Sequence, residues 1–157
     1  GLGDVYKRQD NAFQVIQGIE TLPLRMRQNC SNAERVVDFL EDHPKVERVI
    51  YPKNYDGVVG ERAKKYFKGG FGALVGLELK GGIEAGKKFI NSLKLFYHVA
   101  NIGDARSLAI HPATTTHSQL TPEEQLASGV TPGYVRLSLG IEHPDDLLSD
   151  LKQALET

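Results

Sequence analysis

The residues that could do chemistry gather toward the C-terminal half of this 157-residue chain. The stretch RSLAIHPATTTHSQLTPEE, Arg106 to Glu124, holds His111 and His117, and GYVRLSLG carries Arg136. A structural zinc site wants three or four ligands, with close pairs such as C-x-x-C or H-x-x-x-H. Here the two histidines are separated by a proline-containing segment and the single cysteine, Cys30, is remote, so no metal site is expected. A Cys–His nucleophile is disfavoured because Cys30 sits in a helical pattern, where it reads as a small apolar residue. No G-x-G-x-x-G or G-x-x-x-x-G-K-[ST] loop is present to cradle phosphate. Arg136 is more informative. In a strand its neighbours Val135 and Leu137 point to one face, and it alternates to the other with Ser138. Pointing inward it must be paired, because a lone buried guanidinium is very costly. Pointing into a cleft it is shaped to grip both oxygens of a carboxylate. A plain surface arginine is the ordinary alternative.

The elements that must position these groups follow from periodicity. After Asp10, a candidate N-cap, NAFQVIQGIETL places Phe13, Ile16, Ile19 and Leu22 at helical spacing. Pro23 breaks that helix or opens a second one. The second has Met26, Cys30, Ala33, Val37 and Leu40 on one face and is expected to turn its arginines and asparagines outward. VERVIYP reads as a strand, ERAKKYF as a short helix and FGALVGLEL as a strand. GIEAGKKFINSLK reads as a helix, and LFYHVA, RSLAI and YVRLSLG as three further strands. HPDDLLSDLKQALE is an amphipathic helix whose Pro144 and aspartates suit an N-terminal end. The alternation predicts a mixed sheet covered by helices, an α/β or α+β sandwich. The remainder of the Arg106 to Glu124 stretch, from His111 to Glu124, is expected to be a loop.

Composition narrows the class. Hydrophobic residues at 40%, charged residues at 25% and a net charge of -1 are ordinary for a globular protein and leave no basic footprint for nucleic acid. No apolar run approaches the roughly 20 residues that span a bilayer. The single cysteine suits a cytoplasmic location.

HPATTTHSQLTPEEQLASGVTPGYVRLSLGIEHPDDLLSDLKQAL resembles the C-terminal portion of the cystathionine synthase and lyase family of pyridoxal-phosphate enzymes, through HPAT-x-TH, VRLS-x-GIE and NIGDARSLAIHP. NAFQVIQGIETLPLRMRQNC and the residues after it look like the family's helix joining the large and small domains. The resemblance runs from about Asn11 to the end. Asn101, where cystathionine-forming and methionine-cleaving members usually carry serine, and ATTTH in place of ATMTH favour the O-acetylhomoserine sulfhydrylase branch.

The resemblance implies a fold, a reaction and roles. The fold is the small C-terminal domain of a fold-type I transferase, a mostly antiparallel sheet covered by helices and preceded by a long interdomain helix. It divides the chain into an interdomain helix at 10–43 and a small domain at 44–157, with residues 1–9 expected to be either non-native or unmatched. The reaction joins O-acetylhomoserine and sulfide to give homocysteine and acetate in methionine biosynthesis. Pyridoxal phosphate serves as electron sink, bound mainly by an upstream large domain that supplies the cofactor lysine. The lysines present, such as Lys64, Lys65, Lys87 and Lys88, are expected on solvated helix faces, and the chain alone is expected to be inactive. Arg136 would bind the substrate α-carboxylate, Asn101 would lie at the substrate and cofactor edge, and the Ile102 N–H would help hold the carboxylate. Thr116 would support the arginine and its loop. His111 and His117 would stabilise that loop through bonds to backbone. The first helix would expose an apolar stripe for the large domain or a partner subunit, and the whole enzyme would be a homotetramer. Alternatives are a cystathionine γ-synthase, a methionine or cystathionine γ-lyase, or a non-catalytic module binding an amino acid or a partner.

Overall fold

A computed structural model describes residues 2–157, with side chains from Arg8 onward. The chain opens with two consecutive helices, α1 (Leu2–Glu20) and α2 (Leu22–Glu41), joined at Thr21. Pro23 stands in the first turn of α2, so it starts the second helix, where its missing N–H costs nothing. Asp10 is not a cap. It lies within α1, which begins at Leu2, because nothing between Gly3 and Gln9 forces the backbone out of the helix. Every side chain from Arg8 to Leu24 is exposed, including Phe13, Ile16 and Ile19 at 63%, 54% and 59%. The expected apolar stripe is therefore uncovered.

Downstream come β1 (Val46–Ile50), α3 (Gly57–Tyr66), β2 (Leu74–Leu79), α4 (Gly82–Ser92) and β3 (Tyr97–His98). The chain ends with β4 (Leu108–Ile110), α5 (Pro122–Ala127), β5 (Tyr134–Ser138) and α6 (Pro144–Glu156). The five strands form one sheet in the order β1-β2-β5-β4-β3. All neighbours are antiparallel except β3 and β4, so the mostly antiparallel sheet is observed.

One face of the sheet carries the core. Val75 and Leu77 of β2 pair with Leu137 and Val135 of β5, and all four are fully buried. Against them pack Ala33, Val36, Val37 and Leu40 of α2, Phe89 and Ile90 of α4, and Leu147, Leu151 and Leu155 of α6. Burying each such aliphatic side chain stabilises the fold by about 2 kcal/mol. Cys30 is a free, buried thiol on the same side of α2.

Two asparagines of α2 depart from expectation. Asn29 and Asn32 are 1% and 0% exposed, not outward. The Asn32 amide donates to the carbonyls of Gly140 and Glu142, both at 2.9 Å, and a reoriented Asn29 amide would reach the Arg25 and Gly140 carbonyls. Those bonds offset the cost of burying a polar group.

Polar contacts also tie α6 to the segment before β3. The Asp150 carboxylate, 6% exposed, accepts the backbone N–H groups of Lys94 (2.9 Å), Leu95 (2.8 Å) and Phe96 (3.3 Å). It thereby closes the end of α4 and aims the chain into β3, from which the loop to β4 departs.

Candidate functional site

Alternation along β5 puts Arg136 on the face opposite the helical core. Its register partners are Gly76 on β2 and Ile110 on β4, which centres it in the sheet. The guanidinium is half-buried and takes part in no ion pair among the described residues. Its Nη2 donates to the backbone carbonyl of Asn101 at 3.2 Å. An arginine so placed keeps most of its donor fork free for a planar anion.

Gly76 makes room beside it. A methyl group there would lie 2.8 Å from Tyr134 Cε2 and 3.2 Å from Ile50 Cβ, so the bare backbone lets the Tyr134 ring lie across β2. Burial pushes the Tyr134 hydroxyl above its ordinary pKa, while the neighbouring Arg136 charge pulls it partly back. The tyrosine is thus a neutral wall alongside the guanidinium.

The loop from β3 to β4 brings Asn101 to this arginine through its main chain. Its side-chain Oδ1 accepts the N–H of Ile102 at 2.9 Å. That N–H is therefore already engaged, although the resemblance gives it to a carboxylate, and the Asn101 amide Nδ2 has no partner among the described residues. Ile102 itself is 59% exposed. Gly103 follows with φ 75°, a left-handed conformation that favours glycine, and its N–H reaches Ser138 Oγ at 3.5 Å.

The histidine stretch serves as scaffold. His111 is 1% exposed; its Nε2 donates to the Pro132 carbonyl at 2.8 Å and its Nδ1 lies 2.9 Å from Thr114 Oγ1. Burial holds its pKa below the ordinary value, with the Lys87 and His98 charges acting the same way and the Pro132 bond opposing. The neutral ring presses on α4 at Gly86, where a methyl group would come 2.4 Å from Nε2. Thr116 is placed differently from expectation. It is exposed, its hydroxyl pairs with His117 Nδ1 at 2.9 Å, and no bond joins it to Arg136. The His117 ring accordingly meets a side chain and not the backbone.

Sequence reasoning missed two parts of this frame. The first is α5, which carries a capping box: Thr121 accepts from the Glu124 N–H, and Glu124 accepts from the Thr121 N–H. The T-x-x-E spacing in TPEE is its signal. From α5, Gln125 Nε2 donates to the carbonyls of Ala113 and His117 at 3.1 and 2.8 Å, pinning the histidine loop. The second is Glu142, whose carboxylate accepts the Ser107 N–H at 2.6 Å and the Ser107 hydroxyl at 2.8 Å. Ser107 Oγ in turn accepts from the Gly140 N–H at 2.8 Å, and Ile141 N–H donates to the Ala105 carbonyl at 2.9 Å. Gly140 must be bare: a methyl group would sit 2.4 Å from the Ala105 oxygen.

Among the described residues, no cluster of histidine, cysteine or acidic side chains could hold a metal ion, and no helix is long and apolar enough to cross a membrane. Lys64, Lys65, Lys87 and Lys88 are exposed on α3 and α4, with Lys87 paired to Glu84 and Lys88 bonded to the Thr157 carbonyl. Lys87 and Lys88 belong to α4, which packs on the core, Lys64 and Lys65 are exposed on α3, and among the described residues none of the four bonds to a residue on the sheet face of Arg136, so these lysines do not fit the attachment of a pyridoxal cofactor. The geometry on that face fits the carboxylate of a small molecule.

The family model described as Cys/Met metabolism PLP-dependent enzyme matches residues 2–156, reaching ahead of Asn11, where the motif resemblance starts. The chain is 58% identical over 152 residues to an O-acetyl-L-homoserine sulfhydrylase of Leptospira meyeri, covering 93% of this chain and 33% of that protein. It is 48% identical over 154 residues to an L-methionine gamma-lyase of Fusobacterium nucleatum, covering 98% of this chain and 38% of that protein. A Campylobacter jejuni crystal structure of an O-acetylhomoserine (thiol)-lyase, with N'-pyridoxyl-lysine-5'-monophosphate, superposes with a TM-score of 0.87 at 42% identity. It covers 94% of this chain and 35% of that one. The chain thus spans about a third of the length of the relatives it matches. With residues 2–156 of the chain matched by the family model and the fold shared at a TM-score of 0.87, the chain belongs to the Cys/Met metabolism family of PLP-dependent enzymes.

Proposed function

We propose that this chain is the substrate-carboxylate part of a longer pyridoxal-phosphate enzyme that converts O-acetyl-L-homoserine and sulfide to L-homocysteine and acetate. One observation carries the reading: Arg136, with no ion-pair partner among the described residues, stands on the central strand of the sheet, on the face opposite the helical core. Asn101 Nδ2 would donate to the substrate or cofactor edge. The Ile102 N–H would join the carboxylate once Asn101 Oδ1 releases it. Thr116 would hold the outer loop through His117. The rest of the enzyme would include the large domain, with the cofactor lysine, that α1 and α2 connect to residues 44–157. The exposed stripe of α1 fits cover by that domain or by another subunit of a cytoplasmic homotetramer.

The sulfhydrylase branch is favoured by Asn101 and by the 58% identity to the Leptospira meyeri enzyme. The test is steady-state kinetics of Arg136→Ala in the full-length enzyme. Loss of a bidentate charged pair should raise the KM for O-acetylhomoserine by about a hundredfold. An unchanged KM removes Arg136 from the site. Because the chain is also 48% identical to a methionine γ-lyase, α-keto acid release from methionine should be assayed beside sulfide-dependent homocysteine formation. Dominant release from methionine would replace the sulfhydrylase reading.

A further inference from the structure

The carboxylate grip needs more than Arg136, because the carbonyl that steadies the guanidinium belongs to a loop. That loop, residues 99–107, touches the arginine at its beginning, through Asn101, and is anchored at its end, through Ser107. We propose that Glu142 is the positioning residue of the site, setting the loop against β5 so that the Asn101 carbonyl and the Arg136 guanidinium keep one geometry. The inference rests on the reading of Arg136 as the carboxylate grip.

The observations are local and mutually consistent. Ser107 is 0% exposed, and its N–H and hydroxyl both end on the Glu142 carboxylate. The hydroxyl can donate only once, so with Glu142 as its acceptor it is free to accept from the Gly140 N–H. The exits of β5 and of the loop are thereby stitched together, and the Ile141-to-Ala105 bond adds a second stitch. Glu142 is itself held: Asn32 of α2 grips its main-chain carbonyl and that of Gly140. The chain of contacts runs from α2 through Glu142 and Ser107 to the loop, and from the loop to Arg136. Among the described residues Glu142 bonds to Ser107 and, through its main chain, to Asn32, and to neither Arg136 nor Asn101, so it acts on the arginine only through the loop. Charged bonds partly withdrawn from water, as these are, are worth more than fully exposed ones because the lower local dielectric strengthens them.

The experiment uses the full-length enzyme with Glu142→Ala, Glu142→Gln and Arg136→Ala side by side. Glu142→Ala should raise the KM for O-acetylhomoserine about tenfold, with kcat changed less than about twofold, the size of one lost charged hydrogen bond. Hydrogen exchange at residues 101–107 should accelerate while the core strands keep their protection. Glu142→Gln keeps the side-chain volume and one acceptor oxygen, so it should fall between parent and alanine variant; it also provides the reading if Glu142→Ala does not fold. A lowered melting temperature with KM within twofold of the parent, while Arg136→Ala raises KM, overturns the positioning role and leaves the arginine assignment standing. An unchanged KM in all three variants overturns the reading of Arg136, and this inference with it.

Discussion

Replacing Asp150 by alanine should loosen the segment that launches the site loop, by an amount the hydrogen bonds define. The carboxylate accepts three backbone N–H groups, two at good distances, from Leu95 at 2.8 Å and Lys94 at 2.9 Å, and one longer, from Phe96 at 3.3 Å. A hydrogen bond to a charged group contributes about 1.5–3 kcal/mol, and the two short ones should dominate. Water reaches the Lys94 and Leu95 amides once the side chain is gone, which returns part of that loss. The net cost should be about 3 kcal/mol, with Phe96, the buried donor, bearing an unmet N–H. Native-state hydrogen exchange in the full-length enzyme reads this locally. Since each 1.4 kcal/mol is about tenfold, protection of the Leu95 and Phe96 amides should fall by about a hundredfold. Asp150→Asn, which keeps one acceptor oxygen, should lose about half as much free energy. A fall of less than about threefold in the alanine variant would refute the reasoning, because it would mean that these amides do not depend on the carboxylate.

Further outcomes follow from the histidine scaffold. Gly86→Ala should destabilise by about 1–3 kcal/mol, the range for overpacking, because the methyl group would meet the His111 ring at 2.4 Å; a shifted denaturation midpoint measures it, and no shift would mean that α4 moves freely. Because burial lowers the pKa of folded His111, the unfolded chain binds the proton more readily, so stability is present above the unfolded value and declines as pH falls below about 6.5. His111→Gln should flatten that part of the stability profile, and an unaltered profile would assign it to other groups.

Much of this molecule was legible in the sequence because local rules govern it. The apolar spacing of LLSDLKQAL and of FINSL reports helices that bury one stripe, and the alternation in YVRLS separates Arg136 from Val135 and Leu137. Pro23, Pro144 and the acidic first turn of α6 mark helix beginnings for reasons of hydrogen bonding and dipole that need no partner. The HPATTTH and VRLSLGIE motifs marked the family, and the matched model bears that out. Even the missed α5 was written locally, in its T-x-x-E capping box.

What only the tertiary structure decided are the contacts between segments far apart in the chain. Asn29 and Asn32 look like surface residues because an amide is polar; they are buried because the carbonyls of Gly140 and Glu142 arrive from the other end of the chain to meet them. Gly76, Gly86 and Gly140 carry no periodic signal, yet each is bare where a ring or a main chain from elsewhere closes in. Glu142 reads as one acidic residue before a helix until Ser107 is folded against it. Thr116, placed beside the arginine by motif, turns instead to His117, its nearest hydrogen-bonding partner. Periodicity records which face of an element is wet or dry, a property each segment carries by itself. Which polar groups satisfy one another depends on the path of the whole chain.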